Sequence, residues 1–481
     1  MFGPMSNALN ESDYSFLSQT GISREEADRQ IALLTHGATP AKMARAATVG
    51  DGIVRLNPEL VEECRKAAAA AEIGFFVPAS GAASRMFAGP RSYFKGESKT
   101  PDAEAAKLTE LAKAPVVARN LWQTGTSPDD AKGVAKLLVE NPPDGYGWAS
   151  WPKAFVPFHE DPEDTFPLRT PLEEQVAEAA ELMGKGRFSA IHFTLPEEWP
   201  LPAGFDEVCR NLSRRHGGEI VALSSVQDHA TDTLSVGPDG SVVRDGQGNP
   251  ALRAGGHGSL LVNLEATAGR IVLVKNIDNI QPDHRRGFVV PWRQALAGLT
   301  SLLRDAAEAF LATGDDKALR VLSERFGIGL PTDVSSLRDL VDRPLRVAGM
   351  VPNAGEPGGG PFWVKGDAGE SLQIVEQSEI GADDKHLIAG STHFNPVELA
   401  CSFRKPDGSS YGLDAFVDPS RAFLSTKPSS AGDLRVLERP GLWNGSMAKW
   451  WTVFVETPAE TFLPAKTIYD LAHPWRLKGN D

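Results

Sequence analysis

Ile73-Gly74-Phe75-Phe76-Val77-Pro78-Ala79-Ser80-Gly81-Ala82-Ala83-Ser84-Arg85-Met86 is the stretch on which the fold turns. Residues 73–77 form a short apolar run closed by a proline, which is the pattern of a buried strand. Small residues follow, then an arginine at the expected opening of a helix. A backbone stripped of bulk between a strand and a helix can approach a phosphate. Gly81 and the alanines leave room, backbone N–H groups supply partial positive charge, and Arg85 adds a full one. An ordinary strand-to-helix turn has the same composition. The stretch is neither a Walker loop, since no G-K-[ST] follows, nor a G-x-G-x-x-G dinucleotide loop. Ser80 lacks the flanking glycines of a nucleophile elbow.

Similar apolar runs recur at 190–193, 220–223 and 271–275. Stretches of helical character precede them, for example 171–183 and 205–216, and the alternation predicts an α/β fold with a largely parallel sheet. The first 70 residues read as helical. Ser23 with Glu26 fits a capping box for a helix stopping near Gly37, and Asn57 with Pro58 opens a second helix reaching about Glu72. Residues 101–150 and 295–345 read as helical blocks. Residues 353–361 (N-A-G-E-P-G-G-G-P) read as an irregular loop.

The 481 residues are 41% hydrophobic and 23% charged, so a buried core is expected. A formal charge of −14 argues against nucleic acid or anionic lipid as a partner. Phosphate binding then needs a local cluster of cations. Cys64, Cys209 and Cys401 are widely spaced and odd in number, which fits buried free thiols in a reducing cytoplasm rather than a disulfide framework or a zinc site. Neither a signal-peptide pattern nor an apolar run of membrane-spanning length is present, and the expected location is cytoplasmic.

Seven further stretches stand out, of which 170–175 reads as scaffold. Trp151-Pro152-Lys153 precedes an apolar run, and Thr170-Pro171-Leu172-Glu173-Glu174-Gln175 opens a helix. Arg253-Ala254-Gly255-Gly256-His257-Gly258 is a tight glycine loop, in which glycines admit a flat base where a Cβ would obstruct it. Val272-Leu273-Val274-Lys275-Asn276-Ile277-Asp278-Asn279 delivers an aspartate to the carboxyl edge of the sheet, where ligands of open α/β sheets bind. Glu376 and Glu379 lie in Val375-Glu376-Gln377-Ser378-Glu379-Ile380, followed by Ala389-Gly390-Ser391-Thr392-His393-Phe394-Asn395. Phe462-Leu463-Pro464-Ala465-Lys466-Thr467 lies near the end.

Taken in order, these stretches resemble the signatures of the nucleotide-diphospho-sugar transferase superfamily, and of its UDP-sugar pyrophosphorylases in particular. Gly81, Ser84, Arg85 and Met86 match the G-x-G-[TS]-R-[ML] loop, with Ala83 where that family has its second glycine. Lys153 matches the lysine of P-K-x-x-x-P, and 462–471 is similar to F-L-P-V-K-T-x-x-D-L. Residues 374–380 resemble V-V-E-Y-S-E-I, and 389–395 resemble A-G-N-I-x-N-H-F with Ser391 and Thr392 in place of asparagines. The chain is also similar to a bacterial family of domains of unknown function that shares S-G-A-[AS]-[TS]-R-M-F, K-N-I-D-N and W-N-G-x-M-A.

The resemblance implies a Rossmann-like, mixed, mostly parallel sheet of the GT-A-like type. Residues 71–481 would form a nucleotidyltransferase-like catalytic domain with the two helical blocks as insertions, and residues 1–70 a helical N-terminal extension. It implies an enzyme joining a nucleoside triphosphate, UTP being favoured, to a sugar 1-phosphate with release of pyrophosphate. That reaction is an in-line attack between two anions, needing alignment and charge neutralisation and no protein nucleophile. The implied roles are phosphate contacts from Arg85, Lys153 and Lys466, the two lysines not being apportioned, and nucleotide binding by Ser80, Gly81, Ala82, Ala83, Ser84, Gly255, Gly256 and Gly258. Glu376, His393, Asn395 and Asn444 would read the sugar, and Asp278 would hold Mg²⁺. Asp414 and Asp418 are either a second metal ligand or solvated loop acids. A nucleotide-sugar-dependent glycosyltransferase and a non-catalytic nucleotide-binding protein are the alternatives.

Overall fold

The computed structural model describes residues 9–161, 168–355, 358–366, 369–429 and 432–477. It is a mixed α/β structure in two compact units. One comprises the described residues within 1–71, 227–273 and 296–457, and the other those within 72–226, 274–295 and 458–481.

In the second unit, strands Ile73–Pro78, Phe188–Thr194 and Glu219–Ser225 pair in parallel, Phe75 opposite Ile191 and Ile191 opposite Ala222. Helix Phe205–His216 joins the last two as a βαβ crossover, as the alternating pattern predicts. Helix Pro171–Met183 opens on a reciprocal capping box between Thr170 and Glu173 with Pro171 in its first turn. The block after residue 100 is helical, at Pro101–Leu111, Pro115–Thr124 and Ala131–Val139. It shares a hydrophobic core with Ala83, Met86 and Phe87 and with Ala465, Ile468 and Leu471. This block is therefore packed behind the 78–86 loop.

In the first unit, Thr48–Val49, Gly52–Val54, Trp451–Glu456 and Leu345–Pro352 pair in parallel in that order, and Glu398–Ser402 adds antiparallel to the last. Helices Lys317–Phe326 and Val334–Val341 lie within the second predicted helical block. The two predicted N-terminal helices form: Pro58–Ala70 with Asn57 as N-cap, and Arg24–His36 with Ser23 accepting from the Glu26 amide, half of the expected capping box, since the Glu26 carboxylate instead accepts from Arg29 and Gln30.

The reading of the first 70 residues as wholly helical is corrected. Met43–Ala46 is a strand paired antiparallel with Gly360–Gly366, and two short strands follow it. Met-Ala-Arg-Ala has good helix propensity, but burial of Met43 and Ala41 against Phe362 and Val364 overrides it. The N-terminal helices are also core-forming, with Leu17, Ile22, Ala27 and Leu34 packed on Leu234, Val236 and Leu437.

All three cysteines are buried free thiols. Burial pushes Cys209 up to about 11 and Cys64 and Cys401 to about 12, so none is a ready nucleophile. Among the described residues, no helix is long and apolar enough to cross a membrane.

Candidate functional site

Four of the quoted stretches meet in the second unit. The backbone of the 78–86 loop is bonded to the Trp151-Pro152-Lys153 stretch, Ala83 N donating to Trp151 O at 3.1 Å and Lys153 N to Gly81 O at 3.0 Å. The segment after strand Ile271–Lys275 is bonded to the 462–467 stretch: Ala465 N donates to Asp278 O at 3.0 Å and Leu463 N to Asn279 Oδ1 at 3.0 Å. One side chain ties the two halves together. Lys153 Nζ donates to Asp278 Oδ2 at 2.9 Å and to Ala465 O at 3.2 Å. Stretches at 81, 153, 278 and 465 thus form one hydrogen-bonded cluster at the carboxyl side of the parallel strands.

Within the loop, Ser80, Gly81, Ala82, Ser84 and Arg85 are exposed and Ala83 is fully buried. The loop opens into a 3₁₀ turn, Ala83–Arg85, and the α-helix begins only at Ala88. Arg85 thus lies in the turn instead of opening the helix. The methyl of Ala83, at the position where the resembling family has glycine, is directed into the core of the helical block. It does not narrow the exposed side of the loop. Lys466 is exposed, its ammonium 5.4 Å from the Phe462 ring.

Asp278 is partly buried and offers one carboxylate. Among the described residues no three His, Cys, Asp or Glu side chains gather to hold a metal ion. One carboxylate suits a Mg²⁺ shared with phosphate oxygens and water, not an ion caged by protein alone.

The glycine loop lies in the first unit, and its packing differs from the reason given for it above. A Cβ on Gly255 would lie 2.5 Å from Thr231 O, one on Gly256 2.8 Å from Glu438 Oε2, and one on Gly258 would overlap Pro440 O. The chain itself fills the space that the missing side chains leave. Gly258 and Ser259 line a cleft of about 180 Å³ with Glu26, Arg29, Asp414 and Arg439. His257 stacks on Trp443 at 4.3 Å and accepts from Leu442 N, and burial holds it down at about 4.

The candidate sugar residues also lie in the first unit. Glu376 follows strand Gly369–Val375 and exchanges capping bonds with Glu379. Burial and the neighbouring Glu379 push its carboxyl up to about 7. Asn444 is buried, donates to Ile374 O at 3.2 Å, and leaves Oδ1 buried without a bonded partner. Asn395 is committed internally: Nδ2 donates to Gly349 O at 2.8 Å and Oδ1 accepts from Val397 N at 3.0 Å. Val397 is the only described non-glycine residue with positive φ, 62°, so Asn395 secures a strained turn. His393 is buried between Thr392 Oγ1 at 2.8 Å and Glu456 Oε1 at 3.4 Å. Asp418 accepts from the amide and hydroxyl of Ser420.

Sequence reasoning missed a buried polyionic layer in the second unit. Lys275 Nζ sits between both oxygens of Glu178 at 2.7 and 2.8 Å, and Arg293 shares that carboxylate. One turn earlier on the same helix, Glu174 holds Arg286 at 2.6 Å and His159 at 3.0 Å. The available signal was the i, i+4 spacing of Glu174 and Glu178, which places two acids on one face of a helix also carrying Leu172, Val176, Ala177, Ala179, Ala180, Leu182 and Met183.

An α/β protein with a lysine–carboxylate cluster at strand ends is thus the class that fold and site define. The chain belongs to the family Domain of unknown function (DUF4301), matched over residues 10–475. No curated protein matches the sequence. Among solved structures, the chain is similar to a UDP-glucose phosphorylase of Trypanosoma brucei at 12% identity and TM-score 0.47, covering 97% of this chain and 78% of that one. It is similar to the uridine diphosphate N-acetylglucosamine pyrophosphorylase of the same organism at 12% identity and TM-score 0.47, covering 96% and 79%.

Proposed function

We propose that this protein is a sugar-1-phosphate nucleotidyltransferase, forming a nucleotide sugar and pyrophosphate from a nucleoside triphosphate, UTP first, with Mg²⁺ as cofactor. The observation that carries the reading is the Lys153–Asp278 pair at 2.9 Å, which closes four separately recognised stretches into one cluster.

In this reading the backbone of the exposed residues Ser80, Gly81, Ala82 and Ser84, with Arg85, holds the β- and γ-phosphates, while the Ala83 amide is taken by Trp151 O. Lys153 and Lys466 neutralise charge on the α-phosphate and the leaving pyrophosphate. Asp278 would hold Mg²⁺, which supplies charge neutralisation between phosphate oxygens. Lys153 is held by Asp278 and Ala465 O, so its ammonium is already oriented before substrate arrives. Glu376 and Asn444 remain the candidates for the sugar, whereas Asn395 is committed to Gly349 and Val397 and the room at Gly255, Gly256 and Gly258 is taken by the chain itself.

A pyrophosphate-release assay over the common nucleoside triphosphates and sugar 1-phosphates with Mg²⁺ tests this. Release only when both substrates are present is expected. No release with any pair would remove the proposal, and transfer from a UDP-sugar to an acceptor without pyrophosphate would replace it with a glycosyltransferase.

A further inference from the structure

Arg476 lies outside every stretch quoted above, in the turn Pro474–Arg476, and is buried. Its Nη2 donates to Leu463 O at 2.5 Å and its Nη1 to Ile280 O at 3.4 Å. Those carbonyls belong to the two segments that carry Lys466 and Asp278. Nη1 also reaches His159 Nε2 at 2.6 Å. A guanidinium only donates, so Nε2 accepts, and His159 carries its proton on Nδ1 and gives it to Glu174 Oε1. Burial holds His159 below its ordinary value, which keeps the ring neutral for that role. Glu174 takes Arg286 in turn. A continuous line of bonds therefore runs from helix Pro171–Met183 through His159 and Arg476 to both segments. The adjacent Trp475 stacks under Arg285 at 4.4 Å and anchors the turn.

We propose that Arg476 is a positioning residue: it clamps segment 278–280 to segment 463–466 and so fixes the carboxylate of Asp278 relative to Lys153 and Lys466. Its functional consequence rests on the nucleotidyltransferase reading, and its structural half does not. A buried arginine is a costly way to gain stability alone, because its desolvation offsets most of what its bonds return. Its planar fork serves two carbonyls and a ring nitrogen together, which a lysine ammonium does not reproduce.

The test uses the full chain with Arg476→Lys, Arg476→Met and His159→Phe. Amide exchange at Leu463 and Ala465 is expected to quicken about tenfold or more in both Arg476 variants, with strand Ile73–Pro78 unchanged. The kcat for pyrophosphate release is expected to fall about 10- to 100-fold, with KM for the nucleotide within about threefold. His159→Phe, which keeps both carbonyl bonds, should lie between these variants and the wild type. Unchanged exchange at Leu463 and Ala465 overturns the proposal whatever the activity. Uniform acceleration through the second unit also overturns it, because that marks global loosening. Local acceleration with unchanged kcat overturns the functional half. If the wild type releases no pyrophosphate, the enzymatic reading falls, and calorimetric titration with inorganic pyrophosphate and Mg²⁺ decides the positioning: weaker binding in Arg476→Lys supports it and equal binding removes it.

Discussion

Lys153 and Asp278 hold each other's charge at 2.9 Å, each only about a fifth exposed or less. Groups that act as a pair lose their function together, so Lys153→Met and Asp278→Asn are each expected to lower kcat about 10²- to 10³-fold. The double variant should then fall little further than either single one. Additive losses in a double-mutant cycle would show that the two act separately. Glu376 gives a pH signature. Its folded value of about 7 lies above the ordinary 4.5, so its stabilising contribution is fully present below about pH 4.5 and is lost as pH rises through 7. Relative to wild type, Glu376→Gln should therefore gain about 1–3 kcal/mol in unfolding free energy between pH 5 and pH 8. Parallel denaturation curves over that interval would remove Glu376 as the source. Asn395 carries the opposite expectation to a sugar contact: Asn395→Ala should cost about 1–3 kcal/mol of stability, because the Gly349 carbonyl and the Val397 amide lose their partners.

Helix Pro171–Met183 is the element on which the second unit depends most. Glu174 and Glu178 sit on its buried face, and each is neutralised by groups from 274–295. Glu178→Leu is expected to destabilise by about 3–5 kcal/mol in chemical denaturation, because it removes the carboxylate that Lys275 and Arg293 share, and Lys275→Met by less, because Arg293 still pairs with Glu178. An equal loss in both would mean that packing rather than charge sets the cost. This layer also marks where sequence reading stops. Strands at 73–78, 188–194, 219–225 and 271–275 were legible because each holds a short apolar run, and the capping residues Ser23 and Asn57 were legible because capping is local. The 81, 153, 278 and 466 positions were legible through their order along the chain. Arg476 and His159 were not, because their meaning lies in partners far away in sequence. Met43–Ala46 was not, because its strand pairing comes from residues more than 300 positions later.

At the scale of the molecule, an acidic chain of net charge −14 brings the stretches that carry Arg85, Lys153 and Lys466 together by hydrogen bonds. Ligand selectivity should therefore show in global stability. Mg²⁺ with UTP at about one hundred times Kd is expected to raise unfolding free energy by about 2.7 kcal/mol, with smaller gains for ATP, GTP and CTP and none for duplex DNA. Thermal melts across that series check it, and equal shifts for all four nucleotides would remove the preference for UTP.

The burial of Ala83 gives the loop a second constituency. The residue at this position answers to the helices behind the loop, whose core it completes. Its identity is then set from the rear while the front stays free for backbone contact. Ala83→Gly, which restores the residue of the resembling loops, should loosen the helical block by about 1 kcal/mol or more and leave catalysis no faster. Loops of this kind can drift at such a position in step with whatever is packed beneath them, and still meet the same ligand.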